Sequence, residues 1–183
     1  MDFQEFLQEF SNACTAQEIE CILVGAWAMN AYGVARQTVD IDFACEKRHL
    51  HHLDDIFNNH GYTRVYKTEL FAKYRSKDEG LLDIDMLFLS RETLHALQSD
   101  TRTVRIGAID FTVPSLENLI AMKLHALKHN AARRFTKDMA DIVALVDTND
   151  IPVHCDSFHK LCLKFGTEDL YKQLLHETGG ESA

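Results

Sequence analysis

Two short apolar stretches each carry aspartates at alternate positions: Val39-Asp40-Ile41-Asp42-Phe43 and Leu81-Leu82-Asp83-Ile84-Asp85-Met86-Leu87. Side chains alternate along a strand, so the two carboxylates of each Asp-x-Asp share one face. Ile41, Phe43, Ile84 and Met86 then point the other way, into a core. If the two strands are neighbours in one sheet, up to four carboxylates gather at one place. Carboxylates crowded in this way repel one another, and a divalent cation relieves the repulsion. Two such ions about 3.5–4 Å apart, bridged by carboxylates, stabilise both the attacking and the leaving oxygen of an in-line phosphoryl displacement. The alternative is that these aspartates are the polar faces of half-exposed strands. One Asp-x-Asp alone favours that alternative. Two copies, the first preceded by a glycine turn and by Arg36-x-Thr38, favour the metal site.

The glycine turn is the second feature. Ile22-Leu23-Val24 reads as a buried strand, Gly25 follows, and Ala26 to Tyr32 has helical character until Gly33 ends it. A strand that ends in glycine and opens a helix presents free backbone N–H groups, which suit phosphate. The full spacing of the common phosphate-binding loops is absent, so a tight turn needing glycine for steric reasons remains open. A third group comprises Lys123, Arg134, Lys137, Asp138 and Asp141. Lys123 lies on an otherwise apolar helix face with Leu116, Leu119, Ile120, Leu124 and Leu127. It either snorkels to the surface or is a cation aimed at a triphosphate. Asp138 and Asp141 are spaced to share a helix face, and pairing with Arg134 and Lys137 is their plain structural use.

Composition narrows the classes. The formal net charge is −9, which disfavours binding nucleic acid over the whole surface. A local basic run, Lys123 to Lys137 with His125 and His129, suits a polyphosphate or an RNA backbone, or is a solvated helix face. No apolar run approaches the length of a membrane span, and the acidic, amphipathic N-terminus reads as neither a signal nor a transit peptide. No membrane partner is expected. Cys14, Cys21, Cys45, Cys155 and Cys162 include no Cys-x-x-Cys and read as reduced thiols in a cytoplasmic protein. His154, Cys155, His159 and Cys162 fit no zinc spacing well.

The remaining pattern predicts a helix over residues 2–13, a helix ending near Gly61, strands at 62–66, 70–75 and 81–89, and a short helix capped by Ser90. A hairpin is expected across Gly107-Ala108. Ser115 and Thr136 are expected to cap two successive helices, and two more follow Pro152. The fold class is α+β: a mixed β-sheet flanked by helices, with a helical C-terminal portion. The expected division is a core over 1–113, a helical portion over 114–177 packed on it, and a disordered tail over 178–183.

The segment VGAWAMNAYGVARQTVDIDF resembles the signature of the nucleotidyltransferase superfamily, the polymerase-β-like fold. There a Gly-Gly or Gly-Ser turn precedes an Asp-x-Asp/Glu strand, and a later strand supplies a third acidic residue. The segment VPSLENLIAMKL…RRFTKDMADI is similar to motifs of the branch that contains abortive-infection nucleotidyltransferase toxins; the lincosamide and aminoglycoside nucleotidyltransferases are further relatives of this kind. The resemblance implies that Asp40, Asp42 and Asp85 are catalytic and hold two magnesium ions, with Asp83 beside them. It implies that Gly25 and Ala26 lie against the phosphates of an NTP, that Arg36 and Thr38 hold the turn and the bound nucleotide's phosphates, that Lys123 contacts the triphosphate, and that Lys137 and Asp138 support the nucleotide or acceptor. Ala26 stands where the family has its second Gly or Ser.

What the resemblance implies chemically is transfer of an NMP group from an NTP such as ATP to an acceptor hydroxyl. Three readings follow, with RNA or protein as the expected acceptor and the other two as alternatives. A toxin-like enzyme would modify RNA or protein and have a cognate antitoxin, and the basic segment favours it. A small-molecule adenylyltransferase of the antibiotic type suits a short, acidic chain. A catalytically inactive binding protein of the same fold is the third, with Ala26 its support in the sequence.

Overall fold

The computed structural model describes residues 2–179, and for residues 130–133 the backbone alone. Most of the expected tail lies outside the described residues. The chain divides into two compact units, one formed by Met1–Ala31 with Ala35–Ser115, the other by Tyr32–Val34 with Leu116–Ala183.

The first unit is built on a five-stranded sheet. Its strands are β1 (Cys21–Val24), β2 (Asp40–Glu46), β3 (Tyr62–Lys67), β4 (Phe71–Ser76) and β5 (Asp83–Leu89), in the spatial order β1-β2-β5-β4-β3. β2 and β5 run parallel at its centre, and every other pairing is antiparallel, so the sheet is mixed as expected. The parallel pairing puts Asp40 opposite Asp83 and Asp42 opposite Asp85. Alternation buries Ile41, Phe43, Ile84, Met86 and Phe88 on the other face.

That apolar face is closed by α1 (Phe3–Ala16) and α3 (Leu50–Asn59). Asp2 and Glu5 form a capping box that starts α1. Its Phe6 and Phe10 meet the sheet and α3: Phe10 lies 5.0 Å from Phe43 and 5.4 Å from Phe57 between ring centroids, and Phe57 lies 4.4 Å from Tyr74. These side chains are essentially fully buried, and burying each stabilises the fold by roughly 1.5–3 kcal/mol. The unit is completed by the short α2 (Gly25–Met29), by α4 (Arg91–Gln98), capped by Ser90, and by the hairpin of β6 (Thr101–Ile106) and β7 (Ile109–Pro114), turning at Gly107 with φ +61°.

The second unit is helical: α5 (Leu116–Thr148), α6 (Asp156–Phe165) and α7 (Glu168–Glu177). Thr136 does not start a new helix but lies within α5. Yet Lys123 Nζ reaches Asp141 Oδ2 at 2.6 Å. A straight helix would separate these residues by about 27 Å, so the arm carrying Lys123 and the arm carrying Asp138 and Asp141 lie side by side. Among the described residues no helix is long and apolar enough to cross a membrane. The five cysteines are free thiols.

Candidate active site

The four strand aspartates are half-buried, in line with their place at the rim of the sheet's polar face. Each is held by a different neighbour. Thr38 donates its hydroxyl to Asp40 Oδ1. The Trp27 indole N–H donates to the Asp40 carbonyl at 3.1 Å, which ties the start of β2 to the short helix α2. Asp42 rests against Gly25, whose φ is +64° and where an added Cβ would lie 2.1 Å from Asp42 Oδ2. Glycine is therefore required at position 25 twice, by backbone conformation and by space. Arg75 Nε donates to Asp83 Oδ2 at 3.4 Å.

Sequence reasoning missed Lys73 on β4. Its ammonium lies 3.3 Å from Asp85 Oδ1, 3.7 Å from Asp83 Oδ2 and 3.9 Å from Asp40 Oδ2. The antiparallel register of β4 and β5 sets Lys73 opposite Asp85. Burial pulls the lysine toward neutrality, but Asp85, Asp40 and Asp83 outweigh it and its proton is held more tightly than usual. Asp85 is shifted the other way. Burial raises its carboxyl above the ordinary range, Lys73 opposes that, and Asp40 and Asp83 reinforce it.

A divalent cation fits this donor set. All the donors are carboxylate oxygens, the ligands of a hard ion. Asp85 Oδ1 is buried and, among the described residues, its near neighbour is the Lys73 ammonium at 3.3 Å, a contact longer than a directed charge-assisted hydrogen bond. The Lys73 ammonium already stands among three of the four carboxylates. Among the described residues no three carboxylates, imidazoles or thiols are placed, as they stand, to hold a metal ion by themselves.

Ala26, expected against the phosphates, is 2% exposed, so its methyl packs in the core. Arg36 and Thr38 lie on the segment leading into β2 and are partly buried. In the second unit Lys123 does not snorkel. It is buried, 2.6 Å from Asp141 Oδ2 and 3.5 Å from Asp138 Oδ1. Arg134 stands 3.8 Å from Asp138, and Lys137 is exposed. His159 pairs with Glu168 at 3.0 Å and stacks on Tyr171. A cavity of about 230 Å³ lined by Phe10, Cys14, Ile22 and Phe111 holds none of the aspartates of β2 and β5.

The sequence model of a family described as an uncharacterised nucleotidyltransferase matches residues 3–178. No curated protein sequence matches. Among solved structures the chain is similar to the antibiotic-resistance factor ANT(2'')-Ia in solution, at 16% identity over 99% of this chain and 100% of that one, with a TM-score of 0.65. It is similar to the lincosamide antibiotic adenylyltransferase LnuA bound to lincomycin, at 13% identity over 80% and 98% of the two chains and a TM-score of 0.56. It is also similar to an antigenic nucleotidyltransferase-like protein from Paracoccidioides brasiliensis, at 14% identity over 92% and 89% and a TM-score of 0.55. Identities this low speak for a shared fold.

Proposed function

This chain belongs to the nucleotidyltransferase family matched over residues 3–178, and from that premise we propose that it moves an NMP group from an NTP to a hydroxyl of a small polar acceptor. The observation that carries the reading is the pairing of Asp40 with Asp83 and Asp42 with Asp85 on adjacent parallel strands, with the bare Cα of Gly25 against Asp42. Asp40, Asp42 and Asp85 are the residues that would hold divalent metal, with Asp83 at their side. Bound magnesium would neutralise charge on the phosphates and make the acceptor hydroxyl easier to deprotonate. Thr38 fixes the orientation of the Asp40 carboxylate, and Trp27 fixes its backbone. Asp85, whose burial strengthens its hold on a proton, is suited to take the proton of the acceptor hydroxyl. Gly25 makes room for the Asp42 carboxylate beside the turn on which the triphosphate would lie. Lys123, Lys137 and Asp138 remain candidates for nucleotide contacts. For Lys123 such a contact competes with its two aspartates.

The small-molecule acceptor rests on two supports. Two of the similar structures are of antibiotic-directed proteins, one bound to lincomycin, the other solved in a second study with adenylyl-2''-tobramycin. The basic run that favours RNA is also weaker than its sequence suggests, since Lys123 is neutralised inside the second unit and Arg134 leans on Asp138. The toxin-type reading keeps exposed Lys128 and Lys137 in its favour. Incubation with magnesium, each labelled NTP, aminoglycosides and lincosamides, bulk tRNA and cell protein separates the two. Label is expected in a small molecule and is lost with chelator. Label in RNA or protein replaces this acceptor class, and a chain that neither binds nor turns over any NTP contradicts the proposal.

A further inference from the structure

The chemistry above leaves Lys73 without a task, yet its ammonium stands among the site's carboxylates. Its three separations, 3.3, 3.7 and 3.9 Å, are longer than a directed ammonium–carboxylate hydrogen bond of about 2.7–2.9 Å. The summed field of three aspartates holds the cation, and no single short bond does. Its neighbours along β4, Ala72 and Tyr74, are fully buried and fix the backbone, while the lysine itself is partly exposed. A compact charge on a flexible four-carbon stem can therefore exchange partners without disturbing the strand.

Building on the nucleotidyl-transfer reading, we propose that Lys73 is a positioning residue that fills the cation's place in the ligand-free protein and makes metal entry depend on the nucleotide. A divalent ion arriving alone meets carboxylates that already share an ammonium, and it must displace that charge or sit beside it. A triphosphate arriving with the ion changes the balance. It supplies anionic oxygens to which the ammonium can turn, so ion and nucleotide enter together. Arg75 does not substitute for Lys73, because it is exposed and pairs with Asp83 alone among the four aspartates.

The test uses Mn²⁺ as probe, titrated by calorimetry and paramagnetic resonance into the wild type, Lys73→Met, Lys73→Gln and Lys73→Arg, each with and without a non-hydrolysable NTP analogue. The wild type is expected to bind Mn²⁺ weakly alone and more tightly with the analogue. Removing one positive charge beside the ion is expected to tighten Mn²⁺ binding without nucleotide by about tenfold in Lys73→Met and Lys73→Gln, and so to shrink the nucleotide's effect. Lys73→Arg is expected to restore wild-type behaviour, which a merely structural role for the lysine stem would not produce. Equal Mn²⁺ affinity of wild type, Lys73→Met and Lys73→Gln without nucleotide overturns the proposal and leaves the transfer reading intact. Failure of every protein to bind Mn²⁺ even with the analogue overturns the metal-site reading and the proposal with it.

Discussion

Two clusters in this chain set one lysine among aspartates. In the first unit Lys73 faces Asp40, Asp83 and Asp85 at 3.3–3.9 Å, and the side chains keep 15–26% of their surface. In the second unit Lys123 sits 2.6 Å from Asp141 and 3.5 Å from Asp138, with 10% or less of each side chain exposed. The chemistry is the same and the solvation is not. Water still reaches the first cluster, so its charges can be traded for those of a ligand. The second has given up its water, and removing one member strands the others in a medium that cannot solvate them. Distance and burial, more than residue identity, distinguish the two clusters.

The largest expected effect comes from breaking the first cluster's chemistry. Asp42→Ala should lower transfer by at least about a thousandfold, the scale lost when charge stabilisation at the reacting phosphate is removed. Its thermal midpoint should stay within a few degrees of wild type, and turnover in a folded Asp42→Ala protein would remove Asp42 from the metal set. Next comes the second cluster. Lys123→Met should cost about 3–5 kcal/mol in denaturant unfolding, because Asp138 and Asp141 lose the buried ammonium they share. Lys73→Met should cost under about 1 kcal/mol in the same measurement. Equal losses would erase the distinction, and a Lys123→Met protein of wild-type stability with weakened nucleotide binding would support Lys123 as a nucleotide contact.

Gly25→Ala should cost about 1–2 kcal/mol for the left-handed backbone alone. It should also reduce transfer steeply, since the new methyl displaces the Asp42 carboxylate; steady-state kinetics and a thermal melt measure the two effects separately. The smallest effect is one of pH. In the metal-free protein the Asp85 carboxyl is raised by burial, so its ionisation destabilises the fold above that raised value and ceases to matter below the unfolded value. Asp85→Asn should therefore melt roughly one to three degrees higher than wild type near neutral pH in the presence of chelator, and the difference should vanish as pH falls below that of an ordinary carboxylate.

Much of this arrangement was legible in the chain. Alternation around Asp40-Ile41-Asp42 and Asp83-Ile84-Asp85 dictated which side of each strand is polar, and the two strands do lie side by side. Ser90 and Gly107 marked a helix start and a hairpin by local chemistry alone. Lys73 was not legible. Phe71-Ala72-Lys73-Tyr74-Arg75 reads as an ordinary amphipathic strand, and only the pairing of β4 with β5, a non-local fact, turns its cationic stripe toward the aspartates. Its signal was the alternation of Lys73 and Arg75, which matches that of Asp83 and Asp85 once the strands are neighbours. Trp27 escaped for the same reason, since its bond to the Asp40 carbonyl spans thirteen residues. Lys123 was singled out as the odd member of an apolar face, but its partners on the other arm of α5 depend on how that run packs on itself.

The pairing of β2 with β5 is in effect a ruler with duplicate marks. A slip of one residue would set Asp42 against Ile84 or Met86 and turn apolar side chains outward. A slip of two residues, about 6.6 Å, would still leave one aspartate facing another, Asp42 against Asp83 or Asp40 against Asp85. The doubled aspartates thus give the sheet a coarse error-correcting property: the smallest misalignment that keeps the apolar face inward also preserves one carboxylate pair. Insertions in the loop that leads into β5 leave this measure untouched, whereas a single residue inserted between Asp83 and Asp85 erases it.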